Sequence, residues 1–63
     1  MKILQIKSGK FNNTYYNSND ALKSLEMAIN DQIDEDKILS INISIDDDNE
    51  YVSAEAIISI KEN

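Results

Sequence analysis

Four carboxylates lie close together between two apolar runs of the chain. Asp46, Asp47, Asp48 and Glu50 stand in the segment ISIDDDNEYVSAEA. Carboxylates at alternate positions bind calcium in an EF-hand loop, which also has glycine at its sixth position. If Asp46 takes the first position, the sixth is Tyr51, and the pattern after it is that of a strand. The EF-hand match fails, so we predict no metal site; a loose divalent-cation site is the alternative.

The same acidic segment is well suited to a hairpin turn. Asp and Asn favour turns because their side chains hydrogen-bond to nearby backbone groups. Three adjacent aspartates nevertheless repel one another, which a turn alone does not explain. A second interpretation is a broad negative surface that imitates a nucleic-acid backbone towards a basic protein. It would combine the three aspartates with Glu50, Glu55 and residues 34–36.

Most of the aromatic residues occupy one segment, KFNNTYYN, which contains Phe11, Tyr15 and Tyr16. Exposed tyrosines between asparagines make good binding loops, because a rigid ring offers large contact area at low entropic cost. Packing is the alternative, since Tyr16 precedes residues suited to capping a helix. We expect Phe11 to close one end of the core and leave both alternatives open for the two tyrosines.

Catalytic chemistry has little support in this sequence. The chain has no histidine, the usual acid or base at neutral pH, and no cysteine for a disulfide or a thiolate zinc site. A mechanism with paired carboxylates needs both of them in a cleft. A single glycine cannot form a glycine-rich phosphate loop. We therefore expect no enzyme, no catalytic residue and no cofactor.

Charge is distributed unevenly along the chain, whose net charge is −6. Residues 1–33 carry four lysines and three acids (net +1), and residues 34–63 carry two lysines and nine acids (net −7). Nucleic-acid binding depends largely on Lys and Arg, so we expect no direct nucleic-acid binding. Complementary charge favours a protein with a basic surface as the partner, although solubility alone is the plainer explanation.

Composition also bears on source and location. The frequent Ile, Asn, Lys and Asp are those of an AT-rich coding sequence, which indicates a low-GC bacterium or one of its phages. The N-terminal MKILQIKSGK has too few apolar residues for a signal sequence. No run approaches the roughly 20 apolar residues of a membrane span. We expect a cytoplasmic protein that binds no membrane.

Residues 1–63 are expected to form a single domain, near the lower size for one hydrophobic core. The segment KILQIK at 2–7 is typical of a short strand. A helix should begin at the capping residues 17–19 and end before the acids 34–36. Its apolar residues recur every three or four positions, which predicts one buried stripe made of Leu22, Leu25, Ile29 and Ile33 with Ala21 and Ala28.

Two alternating segments follow the helix. ILSINISI predicts a half-buried strand with one apolar face, formed by Leu39, Ile41, Ile43 and Ile45. YVSAEAIISI predicts a second strand, so the two form a hairpin. The expected fold class is α+β, a small β-α-β-β domain in which one helix packs on a three-stranded antiparallel sheet with the last strand in the middle.

The sheet face opposite the helix carries mostly small polar side chains. Such a face can lie in water, as is common in antiparallel sheets. It also suits stacking against a second copy, and an open edge strand can pair with another chain. A homodimer is therefore left open.

The segments LEMAINDQIDEDKILSINISI (25–45) and YVSAEAIISI (51–60) resemble small sporulation-associated proteins of Firmicutes. Those proteins are short and acidic, with a helix, an I-x-I-x-I strand and a closing Y-x-S-A strand. The resemblance implies the same helix and hairpin but supplies no established chemistry, and the aromatic segment departs from it. Dodecins have the same order of elements, but nothing here matches their flavin-stacking tryptophan, so no flavin is inferred.

Three functions are carried forward, of which the third is a calcium-responsive module. The leading one is a small acidic, non-enzymatic protein-binding module. The expected form is a phage inhibitor that mimics DNA, of the anti-defence or anti-CRISPR kind. Such a module would bind a basic or nucleic-acid-handling host protein. The alternative is a structural homo-oligomer or sporulation-associated protein with no ligand. The predicted partner-binding residues are Asp46, Asp47, Asp48, Glu50, Glu55, Tyr15, Tyr16 and Tyr51.

Overall fold

A computed structural model describes residues 1–62, which form one helix and a four-stranded antiparallel sheet. The predicted α+β class is confirmed, but the sheet has one strand more than predicted. The additional strand has only two residues, too few for an alternating pattern. In chain order the elements are β1 (Lys2–Lys7), β2 (Phe11–Asn12), α1 (Ser18–Gln32), a short 3₁₀ helix (Glu35–Lys37), β3 (Ile38–Asp47) and β4 (Tyr51–Ile60).

The last strand, β4, lies at the centre of the sheet, as predicted. β1 and β2 pair with successive lengths of one side of β4, with Ile6 opposite Ala56 and Phe11 opposite Val52. β3 pairs with the other side, where Ile43 lies opposite Ala56. All three pairings are antiparallel, so β4 holds the sheet together.

Helix α1 begins where the sequence predicts. The side chain of Asn17 accepts a hydrogen bond from the Asn19 N–H at 2.9 Å, and the Asp20 carboxylate accepts one from the Asn17 N–H at 2.9 Å. This reciprocal capping box satisfies backbone donors that have no partner inside the helix. The helix ends at Gln32, and its C-cap residue, Ile33, precedes the acids 34–36.

The core lies between α1 and the strands β4 and β1. Alanines at two positions of β4 are almost fully buried and let the helix approach the sheet closely. The predicted helix stripe is confirmed, with Leu22 and Ala28 half-buried at its margin. The buried residues are Ile6, Ala21, Leu25, Ile29, Ile33, Val52, Ala54, Ala56, Ile58 and Ile60.

Strand β3 departs from its prediction, because its apolar face is not buried in the core. Leu39, Ile41, Ile43 and Ile45 are 42% to 53% exposed. Ile43 lies opposite the buried Ala56 and so on the helix side of the sheet. A helix about 10 Å wide covers roughly two strands spaced about 4.8 Å apart, and α1 lies over β4 and β1. The apolar row of β3 is therefore left about half exposed.

The opposite face of the sheet is largely polar, as predicted. Ser40 lies opposite Ser59, and Asn42 lies opposite Ile57. Ile57 and Ile3 are exposed single apolar residues there. No helix within residues 1–62 combines the length and apolar character required to cross a membrane.

Candidate functional site

The turn between β3 and β4 is closed by a single side chain, Asp48. Its Oδ1 accepts hydrogen bonds from the backbone N–H groups of Glu50 at 2.8 Å and Tyr51 at 2.7 Å. These donors stabilise the carboxylate, the Tyr51 N–H most, and lower the pKa of Asp48 below its ordinary value of 3.8. Slight desolvation opposes the shift, and the charge of Lys10 adds to it. Asp48 therefore has a structural role in the turn.

A second residue, Asn13, ties the aromatic segment to this turn. Its backbone N–H donates to the Glu50 carbonyl at 2.9 Å. Its Nδ2 donates to Asp47 Oδ1 at 2.9 Å and to the Asp48 carbonyl at 2.6 Å. Three hydrogen bonds from one asparagine thus hold residues that are more than thirty positions apart in sequence.

The aromatic segment itself folds as a turn about Asn12. The backbone N–H groups of Tyr15 and Tyr16 donate to the Asn12 carbonyl at 3.1 and 3.0 Å, and the Thr14 N–H donates to its Oδ1 at 2.9 Å. Asn12 also pairs with Tyr51 at the start of β4. Backbone bonding of this kind fixes the turn without using either tyrosine ring.

The two neighbouring tyrosines differ in their surroundings. The Tyr16 ring packs against Phe11, with ring centroids 5.3 Å apart and an interplanar angle of 56°. Phe11 is half-buried against the core, as predicted. Tyr15 is 81% exposed and Tyr16 is 49% exposed. Tyr16 therefore serves partly in packing, whereas Tyr15 is presented to solvent.

Seven of the eight predicted binding residues meet at one end of the sheet. β2 and Asn13 place the tyrosine turn beside the acidic turn, and Tyr51 begins the strand between them. All seven side chains are exposed. We call this surface the acidic–tyrosine end; it consists of Asp46, Asp47, Asp48, Glu50, Tyr15, Tyr16 and Tyr51.

The eighth residue, Glu55, lies further along β4 and is engaged elsewhere. Its carboxylate accepts a hydrogen bond from Gln5 Nε2 at 2.7 Å and lies 3.9 Å from Lys7 Nζ. Together with Asp46, Lys7 and Lys10, Glu55 lines a shallow depression of about 360 Å³. Gln5 and Lys7 thus engage the Glu55 carboxylate, which is not part of the acidic–tyrosine end.

The acids 34–36 do not join this surface either. They precede β3, whereas Asp46 and Asp47 end it. A ten-residue strand spans about 33 Å. The expected single broad negative surface is therefore wrong: the acids form two patches at opposite ends of β3.

Asn12 and Asn13 position the acidic–tyrosine end, and sequence reasoning missed both. The available signal was the adjacent pair of asparagines before Thr14, a residue type that bonds to its own backbone in turns. No group of three or more carboxylates within residues 1–62 is arranged to hold a metal ion. The chemistry that the surface offers is recognition by charge and by aromatic contact.

Comparison with known proteins assigns no family or function to the chain. No protein-family model, curated protein or solved structure significantly matches the chain.

Proposed function

We propose that the protein is a small, non-enzymatic binding module that acts in the cytoplasm and uses the acidic–tyrosine end to bind a protein with a basic surface. The charge pattern favours one form of this function, a phage-type inhibitor. It would bind a host protein that handles nucleic acids. The observation that carries the proposal is the bridge made by Asn13, which joins the acidic turn to the tyrosine turn.

The composition of the surface supports recognition of a basic partner. Exposed carboxylates steer a positively charged surface into encounter. Tyrosine is enriched among the residues that dominate binding energy, and Tyr15 offers most of its ring to solvent. The backbone of both turns is already hydrogen-bonded, so little ordering cost accompanies binding.

The proposal is tested by protein capture from a lysate of a low-GC bacterium, with matched variants of the tagged protein. The site variant carries Asp46→Asn, Asp47→Asn and Glu50→Gln. The control carries Asp34→Asn, Glu35→Gln and Asp36→Asn, which makes the same chemical change at the other end of β3. Asp48 is kept because it closes the turn.

A partner bound by the acidic–tyrosine end should be lost from the site variant and retained by the control. For the purified partner, removal of three exposed ion pairs should weaken binding about tenfold, and wild-type binding should weaken as salt is raised. Tyr15→Ala should weaken it as well. Equal loss with both triple variants would show non-specific charge attraction and overturn the proposal, and so would binding that neither variant changes.

A further inference from the structure

We propose that the free edge of β3 binds the β3 strand of a second copy of this chain in antiparallel orientation, which joins two sheets into one. The interface is separate from the acidic–tyrosine end. Four properties of β3 support it: free backbone groups, a half-exposed apolar row, an uncharged middle, and a lysine before the strand that can pair with an aspartate at the end of the other copy's strand.

The backbone of β3 has an unsatisfied side. Among residues 1–62, β3 pairs only with β4. On the β1 side of β4, the Ala54 carbonyl accepts from the Ser8 N–H and the Ala54 N–H donates to Ser8 Oγ. On the β3 side, the Tyr51 carbonyl accepts from the Asp48 N–H. Because an antiparallel ladder alternates, the backbone groups of Ile45, opposite Ala54, point towards the free edge. The same alternation applies to Ile41 and Ile43.

The middle of this edge has none of the usual features that prevent strand addition. Natural edge strands are short, carry charges or proline, or are bent by bulges. β3 has ten residues, and residues 38–45 contain neither a charged residue nor a proline. Its only irregularity lies between Ile38 and Ser40, at the beginning of the strand.

The apolar row matches a second copy of itself. Residues opposite one another in an antiparallel pair lie on the same sheet face. A register with Asn42 at the two-fold axis places Ile41 of each copy opposite Ile43 of the other. The same isoleucines have outward-pointing backbone groups, so one register satisfies both hydrogen bonding and apolar contact. It continues a groove of about 470 Å³ between α1 and β3, whose apolar lining is Leu22, Leu25, Ile29 and Ile43 and whose polar lining is Asn19, Lys23 and Glu26.

Two symmetric ion pairs favour the antiparallel second copy as the occupant, although the acids 34–36 make the segment before β3 net negative. Lys37 directly precedes the strand, and Asp46 and Asp47 end it. In the register centred on Asn42, Lys37 of one copy lies beside the Asp47 end of the other, and this occurs twice. Parallel pairing would instead bring like charges together at both ends. A two-fold interface of this kind is closed and does not extend into a fibre.

Long-range charge repulsion opposes this dimer, and it therefore predicts the direction in which salt changes the dimer's stability. Each copy carries a net charge of −6, so two copies repel each other at low ionic strength. Raising the salt concentration should strengthen the dimer, whereas it should weaken binding of a basic partner at the acidic–tyrosine end. The two proposals can therefore fail independently.

The experiment combines sedimentation over a concentration series, at low and high salt, with backbone amide hydrogen exchange of the same wild-type samples. We expect a monomer–dimer equilibrium that shifts to dimer with salt. The amides of Ile41, Ile43 and Ile45 should exchange rapidly in dilute protein and at least tenfold more slowly in concentrated protein. Those of Asn42 and Ser44, which face β4, should change little.

Two sets of variants locate the interface. Ile43→Lys should weaken the dimer about a hundredfold, because the two-fold axis places the change at two points of the interface. Ile57→Lys, an equal change at an exposed isoleucine on the other face, should leave it intact. Lys37→Asp should weaken the dimer, and Lys37→Asp with Asp47→Lys should restore it.

Three results would overturn the proposal. One is a monomer at all concentrations and salts, including the case in which β3 amides become protected only after a different protein is added. Another is a dimer in which Ile41, Ile43 and Ile45 exchange as rapidly as in the monomer. The third is equal sensitivity to Ile43→Lys and Ile57→Lys.

Discussion

At the scale of single residues, neighbouring acids in the turn have different roles. Asp48 is committed to the backbone of Glu50 and Tyr51. Asp47 accepts one bond from Asn13, and Asp46 ends β3 beside it. Three consecutive aspartates are tolerated because backbone donors stabilise Asp48 and the Asn13 side chain donates to Asp47.

The role of Asp48 predicts a pH-dependent effect of its removal. A folded-state pKa below 3.8 means that the carboxylate stabilises the fold above that pH and that this contribution is lost as the pH falls through the lowered value. Asp48→Ala should therefore lower Tm at pH 7, and the difference from wild type should shrink below about pH 3.8.

Asp48→Asn is the matched control, because an amide oxygen still accepts both backbone hydrogen bonds. Its Tm at pH 7 should lie between those of the wild type and Asp48→Ala. Thermal unfolding of the three proteins between pH 2 and pH 7 provides the measurement. A difference between wild type and Asp48→Ala that stays constant over this range would contradict the assigned role.

At the scale of elements, α1 depends on its N-terminal cap. Asn17→Ala removes the side-chain acceptor of the Asn19 N–H, so we expect a loss of about 1 kcal/mol in the free energy of unfolding. Asn17→Ser retains an acceptor and should cost less. Urea unfolding followed by circular dichroism measures both, and equal stability of Asn17→Ala and wild type would show that the cap contributes nothing.

The stripe of α1 gives a second prediction at this scale. Leu25 is 1% exposed and packs between the helix and the sheet, whereas Met27 is 68% exposed on the same helix. Leu25→Ala should cost about 2–5 kcal/mol, enough to unfold much of so small a domain. Met27→Ala should change stability by about 0.5 kcal/mol at most. Urea unfolding of both variants tests this, and similar stabilities would contradict the assigned core.

The elements were predictable to different degrees. Helix α1 could be predicted from the spacing of its apolar residues and from the cap at Asn17, and strand β4 from its alternation. Both signals are local in sequence. Strand β2 was not predictable, since two residues have no period, and neither was its approach to the acidic turn through Asn13. The alternation in β3 identifies its apolar face correctly, but the reach of α1 across the sheet is a tertiary property that alternation does not encode.

At the scale of the whole molecule, the single chain is long and flat. Its principal extents are 44 × 17 × 12 Å, and its radius of gyration is 12.6 Å, against about 10.6 Å for a compact chain of this length. One helix of 15 residues is too small a cover for the sheet. Pairing through β3 would double the sheet and place one acidic–tyrosine end at each extremity, since the strands run in opposite directions.

The central position of β4 also constrains how the protein is made. β1, β2 and β3 each pair with β4 and not with one another, and β4 begins at Tyr51. A nascent chain that has emerged only as far as Glu50 therefore has no strand on which any sheet can be assembled. Folding on the ribosome must wait for β4 to emerge, and until then the isoleucines of β3 are available to chaperones.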